Sequence, residues 1–187
     1  MSADHPHVLV TTASRHGSTT EIADHLARCL QESAAGLRCG LAAVSVPVAN
    51  EPDPARYDAV VLASAVYAGR WLEPARHYAA DHAAALRARP VWLLSSGPIG
   101  QPPFPPDEPH DAEPIRSSVG ARAHRVFPGR LDKHLLGIGE RAMVTAMRAP
   151  VGDFRDWDAL RDWAEEIAGE LAGQAAGTPP VPVTSPS

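Results

Sequence analysis

The stretch Val8-Leu9-Val10-Thr11-Thr12-Ala13-Ser14-Arg15-His16-Gly17-Ser18-Thr19-Thr20 decides the fold. Its first half is a short, continuously apolar run, the pattern of a central strand covered on both faces. From Thr20 to Leu30 the period changes, and Ile22, Ala23, Leu26, Ala27 and Leu30 fall on one helical stripe. A strand that turns directly into a helix aims unpaired backbone N–H groups and the positive helix end at one point, and a phosphate there needs no lysine. Thr12, Ser14, Ser18 and Thr19 add hydroxyl donors, and Gly17 allows close approach or a positive φ. Ser18 with Glu21 three residues on also fits a capping box without a ligand. The density of hydroxyls exceeds what one cap requires, which favours phosphate.

Outward from this loop the chain alternates strand and helix signals. Leu37 to Val46 reads as a weak second strand suited to a sheet edge, and Tyr57 to Ser64 as the strongest strand. The latter runs into a loop, Ala65-Val66-Tyr67-Ala68-Gly69-Arg70-Trp71, with two aromatics around a glycine. A helix with Pro74 in its first turn extends from Glu73 toward Pro90, and Val91 to Ser96 is another buried strand, followed by Gly97-Pro98-Ile99-Gly100. Gln101 to Pro114 is proline and acid rich and reads as an extended loop, suited to a lid. Arg122 to Phe127 gives a fifth strand, Leu131 to Met147 an interrupted helical segment, and Asp156 caps a last helix ended by Gly173. The expectation is one α/β domain over 1–172, followed by a disordered Pro/Ser/Thr-rich tail over 173–187. Such alternation predicts a three-layer sandwich around a five-stranded parallel sheet, of order 2-1-3-4-5. In that order the loops after strands one, three and four converge.

Composition narrows the function classes. In 187 residues, 17 Lys and Arg stand against 22 Asp and Glu, a net charge of −5 that does not point to nucleic acid. Arg116, Arg122, Arg125, Arg130, Lys133, Arg141 and Arg148 nevertheless crowd the 115–149 region, opposed only by Asp132 and Glu140. That region suits an anionic substrate or peripheral contact with a membrane, a solvated face being the alternative. Cys29 and Cys39 have neither redox nor zinc spacing and read as reduced thiols, which with the lack of an apolar leader implies a cytoplasmic protein, peripheral contact with the inner face of a membrane remaining open. Neither a P-loop, a dinucleotide fingerprint, H-E-x-x-H nor G-x-S-x-G occurs, and His77 and His82 lie on different helix faces, so no metal site is expected.

The pattern Thr12-x-Ser14-x-x-Gly17-x-Thr19 resembles the phosphate loop of flavodoxins, which holds the 5′-phosphate of FMN. Within that superfamily the chain looks most like the flavodoxin-domain family that contains menaquinone-dependent protoporphyrinogen oxidases. The likeness rests on Ser14-Arg15-x-Gly17-x-Thr19, on Ser64 to Trp71, and on Gly152-Asp153-Phe154-Arg155-Asp156-Trp157 before the last helix. It implies FMN as cofactor, a small-molecule redox donor such as a porphyrinogen, and a quinone as acceptor. By this reading Arg15 contacts the phosphate, His16 sits in the same loop, and Ala65, Val66, Tyr67, Ala68 and Gly69 approach the ring. Ser95, Ser96, Gly97 and Gly100 supply the third loop. A small electron carrier and a flavin-free binding module of the same fold are the alternatives. No catalytic side chain and no oligomeric state follows from the sequence.

Overall fold

The computed structural model describes residues 5–97, 109–146 and 150–177. Strand β1, His7–Ala13, is buried from Val8 onward, and the continuous apolar run has the cause the sequence suggests: helices cover both faces. Helix α1, Ser18–Glu32, follows and turns Ile22, Ala23, Leu26 and Leu30 into the core. The next segment departs from expectation. Residues Ala34–Cys39 form a short helix, α2, and strand β2 begins only at Ala42, running Ala42–Pro47. Local capping wins over strand propensity here: Ser33 Oγ accepts from the Gly36 N–H at 2.9 Å, and Glu165 accepts from the Ala34 and Ala35 N–H groups.

Strand β3, Ala59–Tyr67, extends three residues beyond Ser64. Ala65, Val66 and Tyr67 are therefore strand rather than loop. The cause is β4, Arg70–Trp71, which folds back antiparallel through a two-residue turn whose Ala68 and Gly69 have φ of 48° and 73°. The helical stretch before Pro90 is broken at His82 into α3, Glu73–Asp81, and α4, Ala83–Arg87. Strand β5 spans Val91–Ser96.

Gly100 and most of the expected 101–114 loop lie outside the described residues. Its end is helical, contrary to the reading of the whole stretch as loop: α5 spans Ala112–Val119, with Pro114 in the first turn, where its missing N–H costs nothing. Strand β6, Ala123–Phe127, is followed by β7, Arg130–Leu131, then α6, Ile138–Ala146, and β8, Gly152–Asp153, which pairs with β7. Helix α7, Trp157–Gly177, is capped by Asp156, whose carboxylate accepts from the Ala159 N–H at 2.9 Å. It passes through Gly173 without stopping. The expected tail lies mostly in 178–187, outside the described residues.

The parallel strands are ordered β2-β1-β3-β5-β6, which is 2-1-3-4-5 when the two-residue β4 is left uncounted. Val8, Val10, Val61, Trp92 and Leu94 face α1 and α7 on one side, against Ile22, Leu26, Trp163 and Ile167. Leu9, Val60, Leu62 and Leu93 face α3, α4 and α5 on the other, against Tyr78, Leu86 and Val119. The result is a three-layer sandwich. The carboxyl ends of β1, β3 and β5 open side by side at one edge of it.

Candidate functional site

At that edge β1 ends beneath the start of α1. Gly17 is the N-cap in the left-handed region, with φ of 83°, and no side chain caps the helix. The Ser18–Glu21 capping box therefore does not form: Ser18 is already helical, and the Glu21 carboxylate turns outward to Arg130 and Arg155. The N–H groups of Ser18, Thr19 and Thr20 precede the first intrahelical bond, from Glu21 N–H to Gly17 C=O at 2.9 Å, and so have no partner within the helix, as at any helix start. Thr12, 2% exposed, has a buried Oγ1 with no hydrogen-bond partner among the described residues. An uncapped helix start of fifteen residues beside an orphaned hydroxyl is a donor set that an anionic phosphate satisfies. Thr11 Oγ1 is likewise unpartnered, but lies on the opposite face of β1, and no ligand role follows for it.

A cleft of about 410 Å³ opens from this point. Ser14, Arg15, His16, Ser18 and Thr19 line its first side, Ala65 to Gly69 its second, and Ser96 and Gly97 its floor. Most of the residues expected from the three loops thus meet around one space. Thr12 and Gly17 shape the helix start without lining the cleft. Ser95 does not reach it: Ser95 is fully buried, its Oγ accepts from Trp71 Nε1 at 2.7 Å, and His124 Nε2 lies 2.7 Å from the same oxygen. Gly97 is required for packing, since a Cβ there would stand 2.8 Å from Val66 Cβ.

Of the two aromatics in the second segment, only Tyr67 faces the cleft. The Arg15 guanidinium carbon lies 5.4 Å from the Tyr67 ring centre and the His16 ring 6.3 Å from it. Trp71 is 2% exposed and belongs to the core beneath the turn. It anchors the turn together with its neighbours. Leu72 N–H donates to Ser64 Oγ at 3.0 Å, Trp71 N–H donates to Asp111 at 3.1 Å, and Arg70 forms an ion pair with Asp111 at 3.0 Å. Ala68, in a left-handed conformation that alanine adopts at a cost, is held in place by these ties.

Burial pushes the Asp111 carboxyl upward, but the Arg70 hydrogen bonds, the Trp71 N–H and the charges of Arg70 and Arg76 outweigh it and hold the group below its ordinary value. A depressed folded-state value stabilises the fold above the unfolded-state value, near pH 4, and the contribution fades as acidification passes through the folded value. In urea unfolding at pH 7, Asp111→Asn is expected to lose about 1–3 kcal/mol relative to the parent. The gap between the two proteins should shrink at pH 3. An equal gap at both values would remove Asp111 as the charged anchor of this turn.

The fourth wall was only partly legible. Gly129, Arg130, Leu131, Asp132, Leu135, Leu136 and Val144 cover the cleft from the segment after β6. Their apolar members are visible in the sequence as residues available to pack, but the β7 and β8 strands that place them are too short to show a period. The basic character of the same region is largely used inside the fold: Arg122 pairs with Glu170 at 3.0 Å, Arg125 with Glu166 at 2.6 Å, and Arg130 with Glu21 at 2.8 Å. Among the described residues no helix is long and apolar enough to cross a membrane.

The sequence model of a flavodoxin-domain family matches residues 9–158. No curated protein matches the chain. Among solved structures, the chain is similar to an oxidoreductase from Corynebacterium diphtheriae, at 15% identity over 94% of this chain and 99% of that one, with a TM-score of 0.58. A two-electron reduced flavodoxin from Megasphaera elsdenii gives 15% identity over 89% and 98%, with a TM-score of 0.56. The rubredoxin:oxygen oxidoreductase of Desulfovibrio gigas gives 12% identity and a TM-score of 0.56 over 94% of this chain and only 38% of that one. These likenesses establish the flavodoxin-like α/β fold.

Proposed function

Because the chain belongs to the flavodoxin-domain family, with FMN as its cofactor, we propose that it is an FMN-dependent oxidoreductase for small organic molecules. Bound FMN supplies one- and two-electron chemistry at its ring. The chain's own residues bind, orient and exclude. The N–H groups that begin α1, with Thr12, Ser14, Ser18 and Thr19, would hold the phosphate, and Arg15 would offset its charge. The turn at Tyr67 to Gly69 and the backbone at Ser96 and Gly97 would bed the ring, held still by Ser64, Asp111 and the buried Trp71.

The observation that carries the reading is the apolar cover. Leu131, Leu135, Leu136 and Val144 line the cleft from the segment after β6, where by this reading they would flank the ring, whereas an electron carrier has to present the flavin edge to a protein partner. Such a wall disfavours a protein surface there and suits a small, largely apolar organic molecule. A porphyrinogen-like donor and a quinone acceptor fit that description, and Lys133 stands beside the cover for an anionic substituent.

The test uses FMN-loaded protein, reduced photochemically without oxygen. A water-soluble quinone is expected to reoxidise it at least about tenfold faster than cytochrome c, a barrier difference of about 1.4 kcal/mol. Oxidation of a porphyrinogen in the presence of the quinone is the accompanying steady-state assay. Reoxidation by cytochrome c alone would make the protein a carrier.

A further inference from the structure

The cover is fastened at both ends to the helix that begins at the phosphate site. Where it starts, the Arg130 N–H donates to Ser18 Oγ at 3.1 Å, and the Arg130 guanidinium meets Glu21 at 2.8 and 3.3 Å. Where it ends, Arg155 meets the same Glu21 carboxylate at 2.5 Å and forks onto Asp153 at 2.8 and 2.5 Å. The two ends are joined to each other by the β7–β8 pair and by the Phe154 N–H, which donates to Gly129 C=O at 3.1 Å. Glu21 lies in the first turn of α1 and is the anion shared by both arginines.

The Arg155 side chain is 6% exposed, with its guanidinium carbon 4.5 Å from the Trp157 ring centre. A cation so enclosed depends on its carboxylate partners, because leaving it unpaired is costly. Hydrogen bonding to Arg155 and the charges of Arg155 and Arg130 hold the Glu21 carboxyl below its ordinary range, against the upward push of burial, so it is ionised at neutral pH. Between the fastened ends, Arg141 Nε donates to Leu136 C=O at 2.9 Å, which keeps α6 against the stretch bearing Leu135 and Leu136.

We propose that Glu21 is a positioning residue that latches the cover across the ring side of the cleft and so restricts the reaction to small organic partners. Resting on the FMN reading above, the inference goes beyond it by naming the residue that sets partner selectivity. Glu21 itself does not line the cleft, and it acts through Arg130 and Arg155. When the shared anion is lost, Arg130 loses its carboxylate partner and Arg155 keeps only Asp153 on its own end, so nothing ionic ties the two ends to α1 and the segment samples open arrangements. The flavin edge then becomes accessible to a protein surface.

Glu21→Gln and Glu21→Asp are compared with the parent, and Arg130→Gln is a second, milder route to the same loosening that leaves Arg155 paired with both Glu21 and Asp153. Reduced FMN-loaded E21Q is expected to pass electrons to cytochrome c at least about tenfold faster than the parent, with E21D near the parent rate, reporting a tenfold rise in the open population. Trypsin cleavage after Lys133 and Arg141 should accelerate in the same order, with R130Q between parent and E21Q. This second readout is made on protein without flavin, so it decides the latch even if FMN does not bind. Unchanged cleavage in both E21Q and R130Q would overturn the proposal, as would faster cleavage of flavin-loaded protein with no gain toward cytochrome c. Equal effects of E21D and E21Q would also overturn it, since the carboxylate would then not be what matters.

Discussion

Ser14→Asp is expected to abolish tight FMN binding while leaving the affinity for riboflavin, which lacks the phosphate, unchanged. Ser14 is half-buried in the loop between β1 and α1 and lines the cleft beside Ser18 and Thr19. A carboxylate there would stand within a few ångströms of the phosphate. Two unit charges about 4 Å apart interact by about 4 kcal/mol at the effective dielectric of a protein surface. Solvent at the cleft mouth reduces this, and a hundredfold or greater weakening, about 2.7 kcal/mol, is the expected scale. The fold itself should not suffer, because an acidic group near the uncapped start of α1 interacts favourably with the helix dipole. Fluorescence titration with both flavins reads the effect, and a thermal melt of the flavin-free protein provides the control. Parallel loss of FMN and riboflavin would mean that the substitution damages the cleft, and retention of both would move the phosphate away from α1.

Trp71→Ala is expected to have the largest effect on stability, about 3–5 kcal/mol. The side chain is 2% exposed and packs with Leu62, Ala75 and Leu93 in the layer under α3 and α5. Its indole N–H is the donor to Ser95 Oγ, which lies within hydrogen-bonding distance of His124. Removing it opens a cavity and leaves a buried hydroxyl short of a partner. For a chain of this size a loss of that magnitude lowers the melting temperature by about 10 °C. Tyr67→Ala is the contrast. It faces the cleft, so it should change stability by no more than about 0.5 kcal/mol while weakening FMN binding. Equal stability losses for the two variants would contradict the division of the aromatic pair into one core residue and one cleft residue.

That division shows where sequence reasoning reached and where it stopped. Tyr67 and Trp71 are both aromatics around a glycine after a strong strand, and the sequence places Tyr67 ahead of Trp71 at the ring only by its position nearer the strand end; the two-residue turn at Ala68 and Gly69 is what separates their fates. A turn with alanine at a positive φ has no composition signature. β1, β5 and the α1 stripe were legible because central strands and amphipathic helices impose long, regular patterns. α2 and the start of α5 were not: α2 depends on the distant Glu165 accepting from its first N–H groups, and Asp111 at the head of α5 is held by Arg70 and the Trp71 N–H about forty residues earlier. The phosphate side of the cleft could be read from local hydroxyls and a glycine. The cover could not, because Glu21, Arg130 and Arg155 are brought together across more than a hundred residues, and charge pairing at that distance leaves no trace in spacing.

The most direct measurement is the absorbance spectrum of the purified protein before and after addition of FMN, followed by release and identification of any chromophore. A protein that holds FMN in this cleft gives a bound-flavin spectrum, a change in FMN fluorescence that saturates at stoichiometric ratio, and FMN itself as the released compound, and that is the expected result. A colourless protein that leaves FMN fluorescence untouched would contradict it.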